Sequence, residues 1–255
     1  MNTFQSCAHR AAFTLIELLV VVGIVAILSG ILVPTVSSVQ KQGKKVQSLN
    51  NMRQLGTALA LYCGQNNGQF PTEGDAAPTW GGLANSAATD TAWYNALPRA
   101  GGFPAAADFA SNRADFYSKR NLLYVSAATY PASKLNAPLF AVSYCSKFFA
   151  KDADPATVRL QNFQAPSRTV VFQESGVAGE KKIYTAQSDY NGQTKSFASR
   201  SITRYSGKTL IVFADGHAEA LGGADIVDPS GGKAYNPQNR GRVTWTMDPE
   251  ADANL

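Results

Sequence analysis

From Phe13 to Val33 the chain reads FTLIELLVVVGIVAILSGILV, twenty-one residues with a single charge, Glu17. At 1.5 Å per residue a helix of that length spans about 31 Å, roughly the hydrocarbon thickness of a bilayer. The run is therefore read as a membrane helix. A secretory signal has a shorter apolar region, about 7–15 residues, followed by a small-x-small cleavage site. Here Pro34, Thr35, Val36 and Ser37 follow, which is a poor match. Hydropathy alone fits a plain signal anchor equally well, but three details point elsewhere. The preceding segment, MNTFQSCAHRAA, is short and polar. Glu17 sits five residues into the run, where a charge costs on the order of 2–3 kcal/mol. Pro34 closes its far end.

Composition excludes several alternatives. Of the 255 residues 16% are charged and 45% apolar, so the chain is neither disordered nor collagen-like. The net charge of +5 is spread out, with no basic stripe interleaved with aromatics, and no nucleic-acid partner is expected. Three cysteines without a CxxC pair exclude a cysteine-rich zinc site and a disulfide-dense scaffold. Two histidines leave little material for a metal centre.

The stretch Ala12-Phe13-Thr14-Leu15-Ile16-Glu17-Leu18-Leu19-Val20 resembles the class III signal of type IV prepilins and type II secretion pseudopilins. The resemblance implies that a prepilin peptidase cuts between Ala12 and Phe13 and methylates the new Phe13 amine. Glu17 then becomes the fifth residue of the mature chain and Pro34 the twenty-second, both matching the family pattern. Glycine is usual before the cut, and Ala12 stands there instead. Lys41, Lys44 and Lys45 after the run, against Arg10 before it, favour an outside N-terminus by the charge rule. The resemblance implies the opposite, because the peptidase works from the cytoplasmic side. It also implies a pairing of Glu17 with the Phe13 amine of an adjacent subunit, fixing axial register in a fibre.

Beyond Pro34, which should kink or loosen the rod, an apolar stripe continues through Val36, Val39, Val46, Leu49, Met52, Leu55, Leu59 and Tyr62. Asn66-Asn67-Gly68, followed by Phe70-Pro71, is a helix stop. Asn51-x-Arg53-Gln54-Leu55-Gly56 through Phe70-Pro71 looks like the continuation seen in pseudopilin-like proteins. The expected organisation is a leader over 1–12, a transmembrane helix over 13–33, an amphipathic helix over 34–68 and an extracytoplasmic β-rich domain over 69–255.

Residues 72–120 read as a loop-rich insertion with a short helix near Asp108–Tyr117. Their aromatics form either a small core or a sugar- or peptide-binding surface. Strand candidates follow at Asn121–Val125, Leu139–Cys145, Val158–Phe163, Thr169–Gln173, Lys182–Thr185, Ser199–Arg204, Thr209–Ala214, His217–Leu221 and Val243–Met247. Asp215-Gly216 predicts a two-residue type I′ hairpin with both central residues at positive φ. The segment Pro166 to Glu174 resembles one common in a group of bacterial pilin-like proteins, in which a His is separated from Asp-Gly by nine intervening residues. Tyr205 stands at that position here.

Glu174, Asp215 and His217 are the acid/base candidates near strand ends, and Asp215 is better explained by turn chemistry. No enzyme activity is expected. Related pseudopilins use a structural calcium site, and Asp225, Asp228 and Asp248 lie in C-terminal loops of the kind that supply oxygen ligands, but no ligand is assigned from the sequence; no other cofactor is expected. Cys63 and Cys145, outside the cytoplasm by the resemblance, are either a disulfide or free buried thiols. The expected fold is α+β and pilin-like: a long N-terminal helix packed on an antiparallel sheet. The expected role is a fibre subunit, minor or specialised, with other pilin subunits, the inner-membrane assembly platform, the peptidase and the lipid bilayer as partners. The N-terminus is placed in the cytoplasm and the domain in the periplasm, or in a fibre after assembly. The rival reading is a membrane-tethered periplasmic binding module that does not polymerise.

Overall fold

The computed structural model describes residues 15–84, 87–148, 158–185, 187–228, 235 and 241–254. The chain divides into two compact units, Met1–Gly43 and Lys44–Leu255. Helix α1, Leu15–Gln65, contributes to both and passes through position 34 without interruption. Pro34 has no amide proton to donate within that helix. In the same turn the Thr35 hydroxyl donates to the carbonyls of Ile31 and Leu32 at 3.3 and 2.8 Å.

In the first unit every large apolar side chain from Leu15 to Val33 is exposed, Leu15 at 81% and Val22 at 59%. The expected stripe is also exposed at Val36, Val39 and Val46. Its burial begins in the second unit, with Ser48, Met52, Leu55, Ala58, Leu59 and Cys63 inward and Leu49 and Tyr62 half-buried. That is the three-and-four spacing of one helix face. The helix ends as the Gly68 amide donates back to the Cys63 carbonyl at 2.7 Å, with Asn67 at φ +54°.

Among the described residues five strands form one sheet: β1 Val142–Cys145, β2 Val170–Glu174, β3 Lys195–Ser196, β4 Lys208–Phe213 and β5 Ala218–Gly222, in the order β3-β1-β2-β4-β5. The fold is α+β, consistent with a pilin-like arrangement. The sheet is mixed rather than purely antiparallel, because β3 runs parallel to β1, pairing Tyr144 with Lys195. Strand β2 is buried along its whole length and β4 from Thr209 onward, as central strands covered on both faces are.

Tyr144 and Phe172 are register partners and share one face, on which Cys63 of α1 lies beside Tyr144. Ser143, Cys145 and Gln173 point to the opposite face. There Ser143 and Ser196 share a hydrogen bond at 2.6 Å, and Gln173 Nε2 donates to Ser196 Oγ at 2.9 Å.

The insertion is core rather than binding surface. Trp80, Trp93 and Tyr94 are all buried. Behind the single-turn helix α2, Ala87–Asp90, Trp93 opens helix α3, Trp93–Ala100, and lies 5.2 Å from the Phe172 ring and 6.4 Å from Tyr144. The helix expected over Asp108–Tyr117 is two short pieces, a 3-10 turn at Ala106–Phe109 and an α-helical turn at Arg113–Phe116.

Several strand candidates are not strands. Asn121–Val125, Lys182–Thr185 and Val243–Met247 are turns, bends and an isolated bridge, and Leu160–Asn162 and Ala198–Arg200 are 3-10 turns. In each of the first two, one amide side chain intercepts the backbone. Asn121 Oδ1 accepts from the Leu123 amide at 3.0 Å, and Gln187 Oε1 accepts from Ile183 and Tyr184 at 2.7 and 3.3 Å.

Candidate functional site

The residues at the expected cut, Ala12 and Phe13, lie outside the described residues. Glu17 occupies the first turn of α1 and is exposed. A carboxylate there is favoured by the helix dipole. Around and beyond it the helix presents apolar side chains on all sides, with no polar face to turn toward water. Such a surface is satisfied by lipid tails or by other apolar helices. Among the described residues, α1 is the one helix long and apolar enough to cross a membrane.

At the sheet, β4 and β5 pair from Val212 with Ala218 to Lys208 with Gly222. The loop between them is not type I′. The Gly216 amide donates to the Phe213 carbonyl at 2.9 Å and the Phe213 amide to the His217 carbonyl at 3.0 Å. Gly216 has φ +88°, while Asp215 is not in the left-handed region. This is a three-residue loop, Ala214 to Gly216, with one left-handed position. Asp215 Oδ1 accepts from the His217 amide at 3.1 Å and lies 2.6 Å from His217 Nδ1. The His217 ring stacks on Phe213 at 4.4 Å. The pair is partly exposed and is used up in shaping the loop.

The other acid/base candidate is buried. Glu174 accepts from the Tyr205 hydroxyl at 2.8 Å, and Tyr205 faces Ser48 on α1. Burial pushes the Glu174 carboxyl up to about 7, against the pull of Arg204 and the Tyr205 hydroxyl. Burial also works against Glu180, but the Arg204 guanidinium and the amides of Val177 and Thr129 hold its carboxyl below the ordinary value. Arg204 was not singled out in the sequence. The signal was available: a glutamate ending the apolar strand VVFQE needs a donor or cation.

Of the two alternatives for Cys63 and Cys145, the structure has both as buried free thiols. Strand alternation is the reason. Tyr144 faces α1, so its neighbour Cys145 points through the sheet to the other side, where its Sγ donates to the Trp245 carbonyl at 3.3 Å. Burial pushes the Cys63 thiol up to about 11. Asp225 Oδ2 accepts from the Gly222 amide at 3.0 Å, and Asp248 Oδ1 from the Glu250 amide at 3.0 Å. Among the described residues no group of three or more His, Cys, Asp or Glu side chains is placed to hold a metal ion.

One family profile, the prokaryotic N-terminal methylation motif, matches residues 7–33. The chain carries a prepilin-type signal. That signal covers Phe13, Glu17 and the apolar stretch of α1, and it is the signal of a type IV pilin or pseudopilin precursor. No curated protein and no solved structure matches the chain. The prepilin signal therefore speaks for the N-terminal segment, and the domain behind it is described by its own geometry.

Proposed function

We propose that the chain is a structural pilin- or pseudopilin-like subunit and not an enzyme. The observation that carries this reading is an apolar helix exposed on all sides, lying within and directly behind the methylation motif. Prepilin peptidase cuts between Ala12 and Phe13 and methylates the Phe13 amine. The precursor waits in the bacterial inner membrane as a single-pass protein, N-terminus in the cytoplasm and domain in the periplasm. An assembly platform then draws it into a type IV pilus-like fibre or a type II secretion pseudopilus, where α1 exchanges lipid for the helices of other subunits. Its domain, with a long insertion built into the core, is that of a minor or specialised subunit.

N-terminal mass spectrometry on membrane-extracted protein tests this. The expected species begins at a methylated Phe13. A chain beginning at Met1, or near Ser38, overturns the reading. A processed chain that never sediments with a filament overturns the assembly half and favours a tethered periplasmic module.

A further inference from the structure

Glu174 and Arg204 are both buried, at 0% and 4% side-chain exposure. Most of the guanidinium is committed elsewhere. Nε and Nη2 donate to the two oxygens of Glu180 at 2.9 and 2.5 Å, and Nη2 also donates to the Ser175 carbonyl at 2.8 Å. Nη1 has no acceptor. It stands 3.8 Å from Glu174 Oε2, which has no donor. One cation thus lies between two buried carboxylates and serves one of them. An ionised oxygen sealed from water without a donor is strongly disfavoured, so this geometry holds a proton on Glu174. Glu180, for its part, accepts from the amides of Thr129 and Val177 at 3.0 and 2.9 Å, tying two loops to the same arginine.

We propose that Glu174 is a proton-operated latch on these loops. Protonated, it leaves Arg204 wholly to Glu180 and the loops at Thr129 and Val177 stay closed. Ionised, it draws Arg204 Nη1 onto Oε2, weakens the grip on Glu180 and loosens both loops. The step releases one proton from Oε2 to solvent and breaks no covalent bond. It takes the triad from net zero charge to net −1.

The groups facing Glu174 and its arginine come from every side. Tyr205 and Arg204 precede β4, the Leu210 amide is on β4, Ser48 of α1 stands behind Tyr205, and Glu180, Tyr130 and Tyr190 meet Arg204. Burial raises the three tyrosines well above their ordinary value, so they stay neutral. Among these groups Glu174 alone changes charge near neutrality, since burial puts its carboxyl at about 7.

The latch does not depend on fibre assembly, and its test uses the full chain in detergent. Amide exchange is followed in peptides covering Thr129 and Val177, corrected for the chemical exchange rate, from about pH 5.5 to about pH 8.5. Protection there should fall about tenfold or more in the wild type and stay flat in Glu174→Gln, with β1 and β4 peptides, which open only with the whole domain, more protected than the loops throughout. A wild type without the fall, or a Glu174→Gln chain with the same fall, overturns the latch. If Glu174→Gln does not fold, infrared spectroscopy of the wild type decides. A protonated-carboxyl band that disappears over the same pH range as the loss of protection supports the latch. A spectrum with no titrating band overturns it.

Discussion

Gly56 of α1 and Gly216 of the β4–β5 loop meet backbone to backbone. A Cβ on Gly56 would overlap the Gly216 carbonyl, with the carbonyl carbon 2.9 Å away, and a Cβ on Gly216 would lie 3.1 Å from the Gly56 oxygen. The loop tip is seated where the helix has no side chain, which sets how closely helix and sheet approach.

Gly56→Ala should therefore destabilise the domain by about 1–3 kcal/mol, since neither backbone can give way without moving an element. Gly216→Val should cost at least as much, because it adds a β-branched residue at φ +88°. Urea melts of the detergent-solubilised chain read both. An unchanged midpoint for Gly56→Ala would mean that the seam is loose.

His217→Ala should be nearly silent. Its partner Asp215 is exposed enough that the pair contributes about 0–1 kcal/mol, and the loop keeps its backbone bonds. Loss of fibre formation with an unchanged melt would assign His217 a contact outside this chain.

Alkylation in denaturant without reductant should add two groups to each mature chain, at Cys63 and Cys145, Cys7 having left with the leader. The native domain should react slowly at both, as both are buried and Cys63 is held protonated by burial. A mature chain that takes up no label without reductant would establish the cross-sheet disulfide that this geometry opposes.

Glu17→Ala separates an assembly residue from a helix-start residue. As a dipole partner alone Glu17 contributes about 0.3–1 kcal/mol, too little to matter for a membrane helix. The expected outcome is normal insertion, cleavage and folding with poor entry into fibres, scored by sedimentation. Assembly at the wild-type level would remove the pairing with a neighbour's Phe13 amine.

Stability should fall as pH rises from about 4.5 to about 7. In that window folded Glu174 keeps a proton that the unfolded chain has released, since burial raises its carboxyl to about 7. The stabilisation is complete below the unfolded pKa and is lost as pH passes the folded one, a change on the order of 3 kcal/mol at about 1.4 per pH unit. Glu180, held below its ordinary value, acts oppositely, losing its contribution on acidification. Glu174→Gln should flatten the neutral-side decline in urea midpoints. A wild-type midpoint that rises toward neutrality contradicts the assignment.

The sequence announces what local chemistry decides. The apolar run, the stop at Asn67-Gly68 and the paired strands around Asp215 and Gly216 each follow from neighbouring residues. What it conceals depends on distant partners or on side chains competing for the backbone. Ser199–Arg204 has the alternation of a strand, yet the Ser201 carbonyl is taken by Gln187 Nε2 at 3.0 Å and the Tyr190 hydroxyl at 2.5 Å. Strand β3 has two residues and exists because β1 amides reach it: Tyr144 donates to the Thr194 carbonyl. Helix α3 contains Pro98, a residue that argues against a helix when read alone. The pairing of Arg204 with Glu180 spans twenty-four positions that no periodicity connects.

Trp93 belongs to the loop-rich insertion, yet it fills the space between Phe140, Tyr144 and Phe172. The insertion is thus a keystone rather than an ornament. Trimming it to reach a more compact outline would open a void the size of an indole against the sheet, and the strands would lose the ring they close on. Any shortened version of this protein has to keep α3 in place and take its savings from the exposed turns beside it.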